Sequence, residues 1–490
     1  MERNLKELIS EMTLEEKAGM CSGFDFWYLK SVDRLGIPKV MVSDGPHGLR
    51  KQDEKGDHLG LNGSIQAVCF PPACLSACSF DRELMTEFGE VIGKEAQAND
   101  VSVILGPAVN IKRSPLCGRN FEYYSEDPYL AGETAAAFIN GVQSQHVGTS
   151  IKHFAANNQE FNRMSNSSEV DERTLREIYF PAFETAVKKS QPYTVMCSYN
   201  RINGTYASED PWLLTEVLRD EWGFEGYVVS DWGAVNDRIL ALKAGLELEM
   251  PSSGGVTDRE IIQAVQDGSL EEAVLDRAVE RILRISFLYL DNKREQPFTL
   301  EADHDFARRL AEQSMVLLKN EEVLPLGEKE KVAFIGGFAK TPRFQGGGSL
   351  ELPEHQTLTP CVLIAAELKG IVGNIPLPDE KTGGLSPAGE LHRRPVQGIA
   401  QPDRCASAAL QHIHQIEPPF PAQAAHGGLR QPPCGLHVLC EPRGAPLIQG
   451  IPGGGGLRRV VGDGPFVQNL QGFPALPEPD APLDRVASVT

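Results

Sequence analysis

Over the first 290 residues one unit recurs: a short apolar run, a polar or aromatic cluster where that run stops, and then a stretch of helix length. Val40-Met41-Val42-Ser43 stops at Asp44-Gly45-Pro46-His47-Gly48-Leu49-Arg50. A helical stretch from Asp81 to Ala98 leads to Val101-Ser102-Val103-Ile104-Leu105, which empties into Gly106-Pro107 and a long loop from Asn110 to Pro128. A helix from Ala131 to Gln145 precedes Gly148-Thr149-Ser150-Ile151, which runs into Lys152-His153-Phe154. A helix from Glu172 to Ser190 precedes Tyr193 to Ser198 and then Tyr199-Asn200, and one from Leu213 to Glu221 precedes Tyr227-Val228-Val229, followed by Ser230-Asp231-Trp232-Gly233. Leu240 to Glu249 reads as one further strand. Strands that are apolar on both faces and separated by helices pair in parallel, because a crossover of that length cannot close a hairpin. The expected fold is α/β, a TIM-like (β/α) barrel over residues 1–295, with its chemistry at the C-terminal strand ends. Ahead of it, Leu5 to Met20 is an amphipathic helix that restarts at the capping signature Thr13-Leu14-Glu15-Glu16. Behind it, Asp258 to Leu290 is helical, Phe306 to Asn320 is an amphipathic helix, and Val332 to Gly336 is a strand.

A chain of 490 residues exceeds one ordinary core, so two or more domains are expected. The net charge of −20 sets up a field that repels nucleic acid and anionic membrane alike. The polar start Met1-Glu2-Arg3-Asn4 leads to the expectation of no signal peptide, and no apolar run is long enough to span a bilayer. A cytoplasmic location is therefore expected, with the ten cysteines reduced and structural. Cys69, Cys74 and Cys78 lack the second His or Cys pair that a zinc set needs, so no metal is expected.

What stands just beyond the strands is Asp44, Arg119, Lys152, His153, Tyr199, Asp231 and Trp232. A phosphate site would need a glycine loop against a helix N-terminus, and a metal site clustered carboxylates or histidines; neither spacing is present. Donors and acceptors of every kind beside an aromatic plate suit a sugar, whose hydroxyls do both and whose C–H face stacks on a ring. Each residue also has a plainer role open to it. Asp231 could cap the next helix, Lys152 could be a buried ion-pair partner, and Arg119 with Glu122 a loop-stabilising pair.

The set Asp44-Gly45-Pro46, Gly118-Arg119-Asn120-Phe121-Glu122 with Ser125-Glu126-Asp127-Pro128, Lys152-His153-Phe154, Met196-Cys197-Ser198-Tyr199-Asn200 and Ser230-Asp231-Trp232 resembles glycoside hydrolase family 3, in its β-glucosidase branch. The resemblance implies a retaining β-glycosidase that releases terminal non-reducing β-glucosyl residues without cofactor or metal. By the same resemblance Asp231 is the nucleophile, and Asp44, Arg50, Arg119, Lys152 and His153 hold sugar hydroxyls, with Tyr199 beside the nucleophile and Trp232 as the stacking wall. A retaining glycosidase also needs an acid/base. The loop Ala155 to Asp171 lacks the histidine that one branch uses. In the glucosidase branch the acid is a glutamate of a second, α/β sandwich domain.

Residues 296–349 resemble the entry to that second domain: a linker helix, a first strand and Gln345-Gly346-Gly347-Gly348-Ser349. From 350 to 490 the resemblance stops. Positions 351–490 hold 20 of the 34 prolines, three aromatics (Phe420, Phe466, Phe473) and only two lysines (Lys369, Lys381). So abrupt a change suggests a tail translated out of frame or a foreign fusion, against the alternative of a Pro-rich natural linker. Reading the coding DNA past codon 349 in its other two frames separates these. No acid/base residue is identified, and two functions stay open: a glycosidase, or a catalytically impaired sugar-binding remnant of one. A phosphorylase or transglycosylase use of the same nucleophile, and the oligomeric state, are not decided by the residues.

Overall fold

The computed structural model describes residues 4–52 and 64–326. The strand expected at Val332–Gly336 and the whole of 350–490 lie outside the described residues. A parallel sheet organises the rest, with strands β1 (Met41–Ser43), β2 (Val101–Ile104), β3 (Gly148–Phe154), β5 (Thr194–Cys197) and β8 (Tyr227–Val229) side by side in that order. Two-residue strands β4 (Ser167–Ser168), β6 (Arg201–Ile202) and β7 (Thr205–Tyr206) form a small separate sheet. Every residue of the five parallel strands is buried, as expected of a sheet covered on both faces. The sheet curls. Parallel bridges Val229↔Leu248 and Ser22↔Glu249, then antiparallel bridges Gly23↔Leu29 and Tyr28↔Met41, carry the pairing on from β8 towards β1. This is a TIM-like architecture built from five regular strands and short bridges.

Local chemistry explains the covering helices. Asp81 caps helix Arg82–Ala98 by accepting from the amides of Glu83 and Leu84. Asp127 caps Pro128–Ser144, whose first residue is a proline with no amide to leave unpaired. These two helices pack closely through Gly89 and Gly141, where an added Cβ would collide with the carbonyl oxygens of Phe138 and Thr86 respectively. Leu5–Ser10 and Leu14–Met20 are separate helices, and Thr13 and Glu16 form the full capping box between them.

Four expectations about elements change. Arg238–Ala244 is a helix, capped by Asp237 and ended by Gly245 at φ 109°, so only residues beyond Gly245 join the sheet. The buried Arg238 guanidinium donates to the carbonyls of Cys21, Leu246 and Glu247 and fixes that segment without a ladder. The helix expected over 172–190 breaks at Phe180, since Pro181 supplies no amide to continue it. The stretch Asp258 to Leu290 divides into Val256–Gln266 and Glu272–Leu290 at Gly268, which has φ 79°. The linker helix runs from Leu300 to Ser314, not Phe306 to Asn320. Beyond Ser314 four consecutive apolar residues, Met315 to Leu318, lose helical periodicity and are exposed.

Candidate active site

The strands deliver Asp44, Arg50, Arg119, Lys152, His153, Tyr199, Asp231 and Trp232 to one cavity of about 680 Å3. Asp44 follows β1 directly, and Asp231 follows β8 after the single residue Ser230. Lys152 and His153 are neighbours within β3 and both line the cavity, although strand side chains ordinarily alternate between faces. The pairing of β3 with β5 shifts register between Ile151 and Phe154, an irregularity of the sort that re-aims a side chain.

The charges form ordered pairs. Lys152 Nζ donates to Asp44 Oδ1 at 3.0 Å. Burial pushes the Asp44 carboxyl up, but Lys152, Arg50 and Arg119 hold it below its ordinary value. Arg119 Nε donates to Glu122 Oε1 at 2.5 Å, the loop pair expected from their spacing. Arg119 Nη2 lies 2.7 Å from His153 Nε2, while His153 Nδ1 is 3.3 Å from Asn110 Oδ1. Arginine only donates, so Nε2 accepts and the proton sits on Nδ1, facing Asn110. Burial, with Arg119 and Lys152 nearby, keeps His153 neutral by pushing its pKa well below the ordinary histidine value. His153 thus orients Arg119 and has no Nε2 proton to offer Asp231, whose Oδ2 is 3.8 Å away.

Asp231 Oδ1 accepts from the Trp232 amide at 2.8 Å, whereas Oδ2 is buried and has no hydrogen-bond partner. Nearby cations alone would keep this carboxyl strongly acidic. Burial outweighs them, and its pKa is raised despite Arg119 and Lys152. The Tyr199 hydroxyl donates to the Trp232 carbonyl at 2.9 Å. Trp232 is one of three rings: Trp27 lies 5.6 Å and Phe26 6.3 Å from it, centroid to centroid, and the Trp232 indole N–H donates to the Phe26 carbonyl.

Sequence reasoning missed Phe26, Trp27, Asn110, Glu160 and Arg163. The aromatic run Phe24-Asp25-Phe26-Trp27-Tyr28 was a visible signal for the first two. Glu160 and Arg163 sit on the loop after β3, where nothing in the local sequence shows which way the loop folds. Arg163 covers the Tyr199 ring, 4.7 Å from its centroid. Among the described residues no group of three or more His, Cys, Asp or Glu side chains could hold a metal ion, and the six described cysteines form no disulfide. No described helix is long and apolar enough to cross a membrane.

Residues 30–285 match the model of the glycosyl hydrolase family 3 N-terminal domain. The chain is 57% identical over 373 residues to thermostable β-glucosidase B of Acetivibrio thermocellus, covering 76% of this chain and 49% of that protein. It is 50% identical over 357 residues to an exo-α-(1→6)-L-arabinopyranosidase of Bifidobacterium breve, covering 70% and 46%. The structure of β-glucosidase 3B from Thermotoga neapolitana with α-D-glucose superposes with a TM-score of 0.70 at 40% identity, covering 74% of this chain and 54% of that one. The chain spans about half the length of the curated relatives it matches.

Proposed function

The chain belongs to glycosyl hydrolase family 3, and from that premise we propose that it is a retaining exo-β-glycosidase of β-glucosidase type with Asp231 as its nucleophile. One observation carries the reading: Asp231 Oδ2 is buried, unpartnered and set in a cavity walled by three aromatic rings on one side and by paired charges elsewhere. In the proposed first step this oxygen bonds to the anomeric carbon as the bond from that carbon to the leaving oxygen breaks. Water then cleaves the glycosyl ester with the same overall configuration. The raised pKa of Asp231 makes it a more basic nucleophile once ionised, and Arg119 and Lys152 stabilise that ionised form. Asp44, Arg50, Arg119 and Lys152 would hold the sugar hydroxyls, Trp232 would stack on its apolar face, and His153 would orient Arg119. The chemistry calls for neither metal nor cofactor. A cytoplasmic location belongs to the same reading, and the six described cysteines, none of them in a disulfide, are compatible with it.

A second reading, a sugar-binding remnant with impaired catalysis, is favoured by the other carboxyls of the cavity. Asp44, Glu122 and Glu160 are each paired with Lys152, Arg119 or Arg163 in the described residues. A carboxyl whose oxygen is engaged by a neighbouring cation is not aimed at a leaving group. The relatives bear the names of two terminal sugars, a β-glucoside and an α-L-arabinopyranoside, so both belong in the test.

The test is peptide mass after incubation with a dinitrophenyl 2-deoxy-2-fluoro-β-glucoside, beside hydrolysis of cellobiose and of nitrophenyl β-glucoside and α-L-arabinopyranoside. Label on the Asp231 peptide with cellobiose turnover is the expected result for the enzyme. Label without turnover marks the remnant, because the dinitrophenolate departs unprotonated. No label on Asp231 overturns the nucleophile assignment.

A further inference from the structure

Glu160 belongs neither to the sugar-binding set nor to the reacting Asp231, yet it lines the same cavity. Its Oε2 accepts from Arg163 Nη1 at 2.8 Å. Its Oε1 accepts from Asn157 Nδ2 at 3.5 Å and stands 4.0 Å from Arg119 Nη1, a buried donor with no hydrogen-bond partner of its own. Arg163 lies against the Tyr199 ring, and its charge reaches both His153 and Asp231. Four cationic and four anionic side chains line the cavity, so each anion matters to the balance. Asp231 Oδ2 and Glu122 Oε2 are the two buried carboxylate oxygens there without a hydrogen-bond partner; Glu122 is already held through its other oxygen by Arg119, which leaves Asp231 as the carboxylate with no cation bonded to it that a loosened guanidinium would find.

We propose that Glu160 is a positioning residue: it clamps Arg163 over the Tyr199 ring and thereby keeps that guanidinium from pairing with the Asp231 carboxylate. The proposal rests on the glycosidase reading of Asp231 and names a device that keeps its free oxygen free. An Arg163–Asp231 pair would stabilise the nucleophile's ground state and block the approach of the anomeric carbon. Glu160 acts through Arg163 and touches no reacting atom.

Two measurements on the full chain test this. One is the crystal structure of Glu160→Gln, and the other is the pH dependence of labelling by the dinitrophenyl 2-deoxy-2-fluoro-β-glucoside, which needs no acid catalyst. In Glu160→Gln, Arg163 is expected to leave the ring and come within hydrogen-bond distance of Asp231 Oδ2. The acid limb of labelling should move down by about one pH unit, and the plateau rate should fall roughly tenfold. Glu160→Asp should recover part of the rate, and Glu160→Gln with Arg163→Met should return the limb towards the wild-type position. Arg163→Met alone, which leaves the Glu160 carboxylate unpaired near Arg119, should move the limb up and serves if Glu160→Gln does not fold. Arg163 still on the ring with the limb unmoved overturns the proposal. So does a limb shift of equal size in the double variant. If the wild-type chain takes no label, the glycosidase reading falls, while the position of Arg163 in the variant crystal still decides the role of Glu160.

Discussion

Asp44 and Lys152 stand 108 positions apart and form a single unit in the cavity, a carboxylate held ionised by an ammonium at 3.0 Å. The pair is poised to grip adjacent sugar hydroxyls, since a charged acceptor and a charged donor make hydrogen bonds about twice as strong as neutral ones. Asp44→Asn keeps the shape but leaves Lys152 without its counter-charge. Glucose affinity is expected to fall about a hundredfold by titration calorimetry, on the order of 3 kcal/mol, as expected for losing a charged hydrogen bond and stranding its partner. An unchanged affinity would remove Asp44 from the sugar site. Lys152, given an ion-pair alternative at the outset, makes that ion pair and lines the cavity as well, so the two roles coexist. Arg119 and Lys152 favour the ionised carboxylate of Asp231, and burial opposes them. Burial outweighs them and raises its pKa, because desolvation of a buried carboxylate exceeds what charges at these separations return.

Helix Leu300–Ser314 docks on helix Arg82–Ala98 through rings and through acids. Phe306 lies 6.2 Å from Phe88 and 6.3 Å from Phe70, and an Arg309–Glu87 pair closes the rim. Beneath them Glu95 is fully buried with neither carboxyl oxygen hydrogen-bonded, and Asp303 Oδ2 is in the same condition. Burial and the Asp303 charge push Glu95 up to about 8, and burial against the pull of Lys94 pushes Asp303 up to about 6. Both folded values exceed the unfolded ones, so the folded state binds more protons and its stability falls as pH rises. This contribution is complete below about pH 4 and is lost progressively as pH climbs through 6 to 8, a change of a few kcal/mol. Glu95→Gln should raise the melting temperature at pH 8.5 and flatten its dependence between pH 5 and 9. Melts with the wild-type slope would show that Glu95 does not carry the effect. The separate Asn203-Gly204 hairpin is another local device, with both residues at positive φ as a tight turn between β6 and β7 requires.

Across the whole molecule, the apolar run after that helix is the exposed feature with the clearest consequence. Met315, Val316, Leu317 and Leu318 follow the helix without regular structure and are mostly solvent-facing, Leu318 at 92%. Unpaired apolar backbone of this kind templates association. Leu318→Lys should lower the scattering of concentrated solutions without moving the thermal transition, and scattering unaffected by the change would clear this run. The sequence determined much of the architecture by itself, because its strong signals are local: Tyr227–Val229 is an aromatic and β-branched run and Val101–Ile104 a mainly β-branched one, Asp81 and Asp127 cap helices, and polar clusters stop the strands. Those signals also named seven of the side chains that meet in the cavity, and the family resemblance added Arg50. Only the tertiary structure decided that Arg238–Ala244 is a helix, that Lys152 and His153 both line the cavity, that Phe26, Trp27, Glu160 and Arg163 join them, and that Asn110 backs His153. The reason is physical: a strand end advertises itself within a few residues, whereas the direction of a long loop and the protonation of a buried acid depend on partners distant in the chain.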